Sequence, residues 1–173
     1  MQKHKVCSFF GHRKINITEE LKEKVKSIIE DLILNHGVTS FLFGSRSEFD
    51  YLCHLLVTEL KEKYPNIKRI AYTCKSESCI LENEKEKWKR IFYNLHKEEV
   101  NILGYEEEFE HKTKFNAGRA SYIERNQAMI DDSDCCVFYY NENYTPPTKT
   151  NSGTKIAYKY ALKKNKHIIN LIK

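Results

Sequence analysis

No apolar run in this sequence approaches the roughly 18 residues that a membrane-spanning helix needs, so no membrane segment is expected. The six cysteines contain no Cys-x-x-Cys pair, and the spacing of Cys74 and Cys79 suits a metal poorly. No metal site and no cofactor are therefore expected. The opening residues, MQKHKVCSFF, carry no secretory leader pattern. That predicts reduced thiols in a cytoplasmic protein, several of them acting as small core residues. Internal repeats and low-complexity linkers are missing too. So is strong charge. Lys and Arg total 29 against 24 Asp and Glu, and the excess of +5 is spread along helical stretches such as KEKVK and ALKKNK. This balance suits a small anionic ligand and argues against nucleic acid as a partner. Neither glycine-rich phosphate signature, G-x-G-x-x-G or G-x-x-x-x-G-K-[ST], occurs.

What is present is an alternation of short apolar runs and amphipathic stretches. Residues 5–10 read as a strand, and 18–35 as a helix that Thr18 caps and Gly37 stops. Strand 38–43, helix 49–63 and strand 67–74 follow. The charged segment 75–98 looks helical in its ENEKEKWKRIFYNLHKEE portion. Residues 100–105 read as a strand or extended segment, and 109–120 as a loop. Helix 121–133, strand 135–140, loop 141–151, helix 152–166 and strand 167–172 complete the chain. Cys135 and Cys136 are adjacent in a buried strand, so they should point to opposite faces. The expected architecture is a single α/β domain over 1–173 with a charged helical insertion around 76–118. Its Rossmann-like sheet should be mostly parallel, with helices on both faces.

In such sheets ligands sit outside the carboxyl ends of the strands. Three strand ends carry small or glycine-containing turns. After the first come Gly11, His12 and Arg13. After the second come Gly44, Ser45, Arg46 and Ser47, with Glu48 and Asp50 close behind. The run 135–140 leads through a loop into Asn151, Ser152, Gly153 and Thr154 at a helix start. A glycine lets backbone approach a phosphate, and the unpaired N–H groups of a helix start point positive charge at it. Hydroxyls add hydrogen bonds, and Arg adds a bidentate fork. Helix 121–133 contributes Arg125 and Asn126. Arg125 lies four residues before Met129, on the same helix face, and should reach the strand ends while Met129 and Ile130 hold the sheet. Its alternative use is a surface salt bridge to Asp131 or Asp132.

The stretch ERNQAMIDDSDCCVFYY (124–140), followed by SGTKIA (152–157), resembles the paired signature of the LOG phosphoribohydrolases. There R-K-x-x-M-x-x-x-S-D precedes a buried strand and then P-G-G-x-G-T-x-x-E. The stretches FFGHR (9–13) and FGSRSEFD (43–50) resemble the YpsA-like branch of the wider SLOG superfamily, which joins LOG enzymes and DprA DNA-processing proteins on one Rossmann-like fold. The resemblance implies that Gly44, Ser45, Gly153 and Thr154 contact a phosphate and that Arg125 lies near the ribose or phosphate. It also implies a homodimer or larger homo-oligomer, for which Tyr122, Tyr158 and Tyr160 are candidate contacts. The glycine run is reduced to Ser152-Gly153-Thr154, and Ala157 stands where LOG enzymes carry a catalytic Glu.

Cleaving an N-glycosidic bond needs a group that stabilises an oxocarbenium-like centre and positions a water, and alanine does neither. The reading preferred is a protein that binds a nucleotide derivative, ADP-ribose-like, as a sensor or sequestering protein. One alternative is a LOG-like nucleotide N-glycosidase or transferase, with Glu48, Asp50 or Glu124 supplying the carboxylate and Arg125 assisting. A third is DprA-like handling of nucleic acid.

Overall fold

The computed structural model describes residues 5–44, 47–74, 105–110, 119–144 and 152–172. Its elements run in chain order β1 (Val6–Gly11), α1 (Glu19–His36), β2 (Ser40–Phe43), α2 (Glu48–Lys63) and β3 (Lys68–Thr73). Then come β4 (Glu107–Glu110), α3 (Arg119–Asp131), β5 (Cys135–Tyr139), α4 (Gly153–Lys163) and β6 (His167–Asn170). The six strands form one sheet in the order β4-β3-β2-β1-β5-β6, and every pairing is parallel.

Side-chain alternation along the strands builds two cores. Cys7, Phe9, Phe41, Phe43, Cys135 and Val137 face α1 and α2, where they meet Val25, Ile29, Phe49 and Leu52. Phe10, Leu42, Cys136 and Phe138 face α3 and α4, where they meet Met129, Ile130, Ala157 and Ala161. The adjacent cysteines therefore point to opposite faces as expected. Each buried Phe or Leu contributes about 1.5–3 kcal/mol. Burial pushes the thiols of Cys7 and Cys53 up, and that of Cys136 up to about 12, so all three are packing residues rather than reactive ones.

Local chemistry fixes the helix ends. The Thr18 hydroxyl accepts from the Leu21 N–H, and Gly37 closes α1 with φ 70°, a left-handed backbone that glycine adopts without strain. The Ser47 hydroxyl accepts from the Asp50 N–H and starts α2.

One expectation needs correcting. Residues 109 and 110, read as the start of a loop, close strand β4. Its sequence, EEFE, has no β-branched residue, and the strand is placed by tertiary contacts at the sheet edge. Phe109 packs on Tyr72 with ring centroids 5.0 Å apart. Just before it, Glu106 takes three hydrogen bonds from the Arg69 side chain at 2.7, 3.1 and 3.2 Å. The strand expected at 100–105 falls, up to residue 104, outside the described residues, as does the helix expected within 75–98. No helix among the described residues is long and apolar enough to cross a membrane.

Candidate functional site

The chain leaves β1 toward β2, β3 and β4, then returns to pair β5 with the other side of β1. That reversal opens a crevice at the carboxyl ends of β1 and β5. The three turns singled out above follow β2, β1 and β5, three adjacent strands, so the topology gathers them along one edge. Ser45, Arg46 and Asn151 lie outside the described residues.

Each crossover helix also starts at this edge, and the helix starts are not alike. The first turn of α1 carries Glu19 and Glu20, and that of α2 carries Glu48 and Asp50. Those carboxylates answer the positive end of their own helices. The Glu48 carboxylate accepts the Ile15 N–H at 2.8 Å, and the Glu48 N–H donates to the Arg13 carbonyl at 2.9 Å. Buried Asp50 accepts the Gly44 N–H at 3.4 Å. Both carboxylates thus tie down the turns after β1 and β2. The first turns of α3 and α4 hold no acidic residue. Ser152 caps α4 by accepting the Thr154 N–H at 3.2 Å. Gly153 is exposed, and a Cβ added there would meet nothing within 4 Å.

Arg125 is 2% exposed, with Met129 and Ile130 fully buried beneath the same helix. Its Nε and Nη2 donate to the Asn126 side-chain oxygen at 3.4 and 3.2 Å, and its guanidinium lies 5.2 Å from the Tyr122 ring centre. Asp131 and Asp132, the alternative salt-bridge partners, instead accept from the hydroxyls of Tyr160 and Tyr72. A Cβ added to Gly44 would come within 3.4 Å of Arg125 Cδ and 3.2 Å of Met129 Sδ. The structure therefore brings Arg125 and Gly44 together at the end of β2.

The two other tyrosines considered for a dimer contact are engaged within the chain. Tyr158 packs edge-on against Phe138 at 5.1 Å, and Tyr160 reaches Asp131.

His12 stands at the switch point. Its Nε2 accepts the backbone N–H of Asn141 at 2.9 Å, which joins the turn after β1 to the turn after β5. Its ring stacks on Tyr144 with centroids 4.0 Å apart, and Tyr139 and Tyr140 lie at 6.3 and 6.0 Å. Sequence reasoning placed His12 at the site but missed Asn141 and Tyr144. Both are ordinary loop residues until the fold sets them against a histidine from the other end of the chain. Burial holds the His12 pKa below its ordinary value. A depressed folded-state pKa means that the unfolded chain binds more protons there. The resulting stability is full above the ordinary imidazole value of about 6.5 and is lost as pH falls through the lowered one. His12→Gln is expected to flatten that part of the stability–pH curve, as read by urea titrations at several pH values. An unchanged slope would place the acid sensitivity elsewhere.

Among the described residues no group of three or more His, Cys, Asp and Glu is arranged to hold a metal ion. A model of the YspA SLOG family matches residues 4–173. An uncharacterized SPbeta prophage-derived protein of Bacillus subtilis (strain 168), YoqJ, is 28% identical over 148 residues, a match that spans 83% of this chain and 81% of that protein.

Proposed function

The chain belongs to the YspA SLOG family, and on that premise we propose that it binds a phosphate-bearing nucleotide derivative, of the ADP-ribose kind, at the switch point. One observation carries the reading: the helix starts on one face of the sheet, α3 and α4, are free of acidic residues, while those on the other face are already answered by carboxylates. An anion is best placed at the α4 start, against the amide of Gly153, with Arg125 supplying a fork of donors. Arg13, exposed after β1, and Lys155, in the first turn of α4, add positive charge at the same edge.

Binding without turnover is favoured by position 157. Ala157 is 2% exposed and packs in the apolar cluster with Phe10, Phe138 and Ala161. No carboxylate stands there to stabilise an oxocarbenium-like centre. The role that follows is that of a sensor or sequestering protein. Titration calorimetry with pyrophosphate, nucleoside monophosphates and ADP-ribose tests it. Saturable binding is expected for ADP-ribose, and silence from all of these probes at millimolar concentration would overturn the proposal. Release of free base from any nucleotide would instead favour the glycosidase reading.

Gly153→Asp separates an anion site from a simple helix start. The new side chain meets no neighbour, and a carboxylate in the first turn suits the helix itself. The fold should therefore hold. A like charge some 4 Å from a phosphate costs about 4 kcal/mol at an effective dielectric constant of ~20, so affinity for ADP-ribose should fall by at least about a hundredfold. A folded variant that binds as well as the parent would reduce Gly153 to a capping role.

A further inference from the structure

We infer that His12 reads the uncharged half of the ligand, its Nδ1–H donating to an oxygen or ring-nitrogen acceptor on the sugar or base of a nucleotide. The inference rests on the binding reading above and specifies which part of the ligand meets the end of β1.

Three observations support it. An imidazole nitrogen that accepts a backbone N–H carries no proton of its own, so the bond from Asn141 to Nε2 leaves the proton on Nδ1. That Nδ1–H is buried, on a ring only 3% exposed, and has no hydrogen-bond partner among the described residues. A buried donor left unmet costs free energy, which an acceptor on a ligand recovers. The ring's close neighbours are aromatic: Tyr144 is stacked on it at an interplanar angle of 20°, with Tyr139 and Tyr140 farther out.

Those surroundings select the ligand chemistry. A phosphate favours a charged imidazolium, whereas burial lowers the pKa of this ring and so favours its neutral form. A neutral donor among aromatic rings suits a hydroxyl, a carbonyl or a heterocyclic nitrogen. The stacked Tyr144 ring already holds the place that a planar base would take. The end of β1 would read the uncharged half of the ligand and the α4 start its charged half.

Pyrophosphate and ADP-ribose serve as the paired probes for calorimetry on the full chain. The parent protein should bind ADP-ribose more tightly than pyrophosphate. His12→Gln places an acceptor near the old Nε2 and removes the Nδ1 donor, so it should weaken ADP-ribose about tenfold more than pyrophosphate. Equal losses on the two probes, or no loss on either, would overturn the inference and leave the phosphate site standing. The same holds if the parent binds pyrophosphate but gains nothing from ADP-ribose. Binding of neither probe would overturn the proposed function, and this inference with it. Nitrogen-15 spectra of the histidines in the parent protein give a second readout that needs no variant. The His12 Nδ1–H resonance should shift with ADP-ribose but not with pyrophosphate. An unchanged signal at saturating ADP-ribose would overturn the assignment.

Discussion

Arg125→Ala is expected to weaken ADP-ribose binding by roughly tenfold to more than a hundredfold, the effect of losing a hydrogen bond to a charged partner worth about 1.5–3 kcal/mol. The structure makes this a sharper experiment than the sequence alone allows. A surface salt bridge would contribute about 0–1 kcal/mol and leave affinity untouched, but Arg125 is buried, with Cδ close to Gly44. Truncation to alanine therefore removes packing as well as charge, and part of any affinity loss could come from a loosened β2 end. Arg125→Lys resolves the two contributions. Lysine keeps most of the aliphatic stem and the positive charge but cannot offer two parallel donors. If Arg125 binds the ligand, the Lys variant should retain most of the melting temperature while recovering only part of the affinity. If Arg125 only packs, the Lys variant should recover both. Loss of stability with intact binding in the Ala variant would remove Arg125 from the site.

Much of the fold was legible because the two periodicities of the chain are clean. The apolar runs at β1, β2 and β5 alternate between two faces, and Val25, Ile29 and Leu32 line one side of α1. The cap at Thr18 and the stop at Gly37 could be read residue by residue. Strand β4 could not, because EEFE owes its conformation to Tyr72 and Arg69 on the neighbouring strand and not to its own propensity. The candidate site was legible as a place in the topology and not by its contacts. A strand end followed by a glycine marks the edge where ligands bind, but sequence does not say what each glycine is for. Nor does it reveal that the helix starts differ in charge until the topology puts all of them on one edge. The pairing of His12 with Asn141 and Tyr144 spans well over a hundred residues, and nothing local announces it.

Gly11→Ala is expected to be among the most destabilising small substitutions in the chain, and the reason is steric. Gly37 is the glycine with positive φ among the described residues, so neither Gly11 nor Gly44 is needed for a left-handed turn. A Cβ at Gly11 would instead lie 2.4 Å from Phe49 Cβ and 2.6 Å from its ring. Phe49 cannot step aside easily. It is fully buried in the first turn of α2, and the adjacent Glu48 holds that turn to the β1–α1 loop through bonds of 2.8 and 2.9 Å. Overpacking of this kind typically costs about 1–3 kcal/mol, and with backbone anchored on both sides the upper end is expected. At ~2–4 °C per kcal/mol for a chain of this size, the melting temperature should drop by roughly 5–10 °C. Gly44→Ala should cost a similar amount, because its Cβ would sit 2.5 Å from the Tyr72 carbonyl oxygen in the adjoining strand. It should also lower affinity, since the same atom crowds Arg125. Gly153→Ala is the control. Its Cβ meets open space, and alanine is the better helix former, so stability should be unchanged or slightly raised. Thermal melts of the three variants give the comparison. Equal melting temperatures for Gly11→Ala and Gly153→Ala would mean that α2 yields readily, and that the close approach of β1 to Phe49 is not what requires a glycine at position 11.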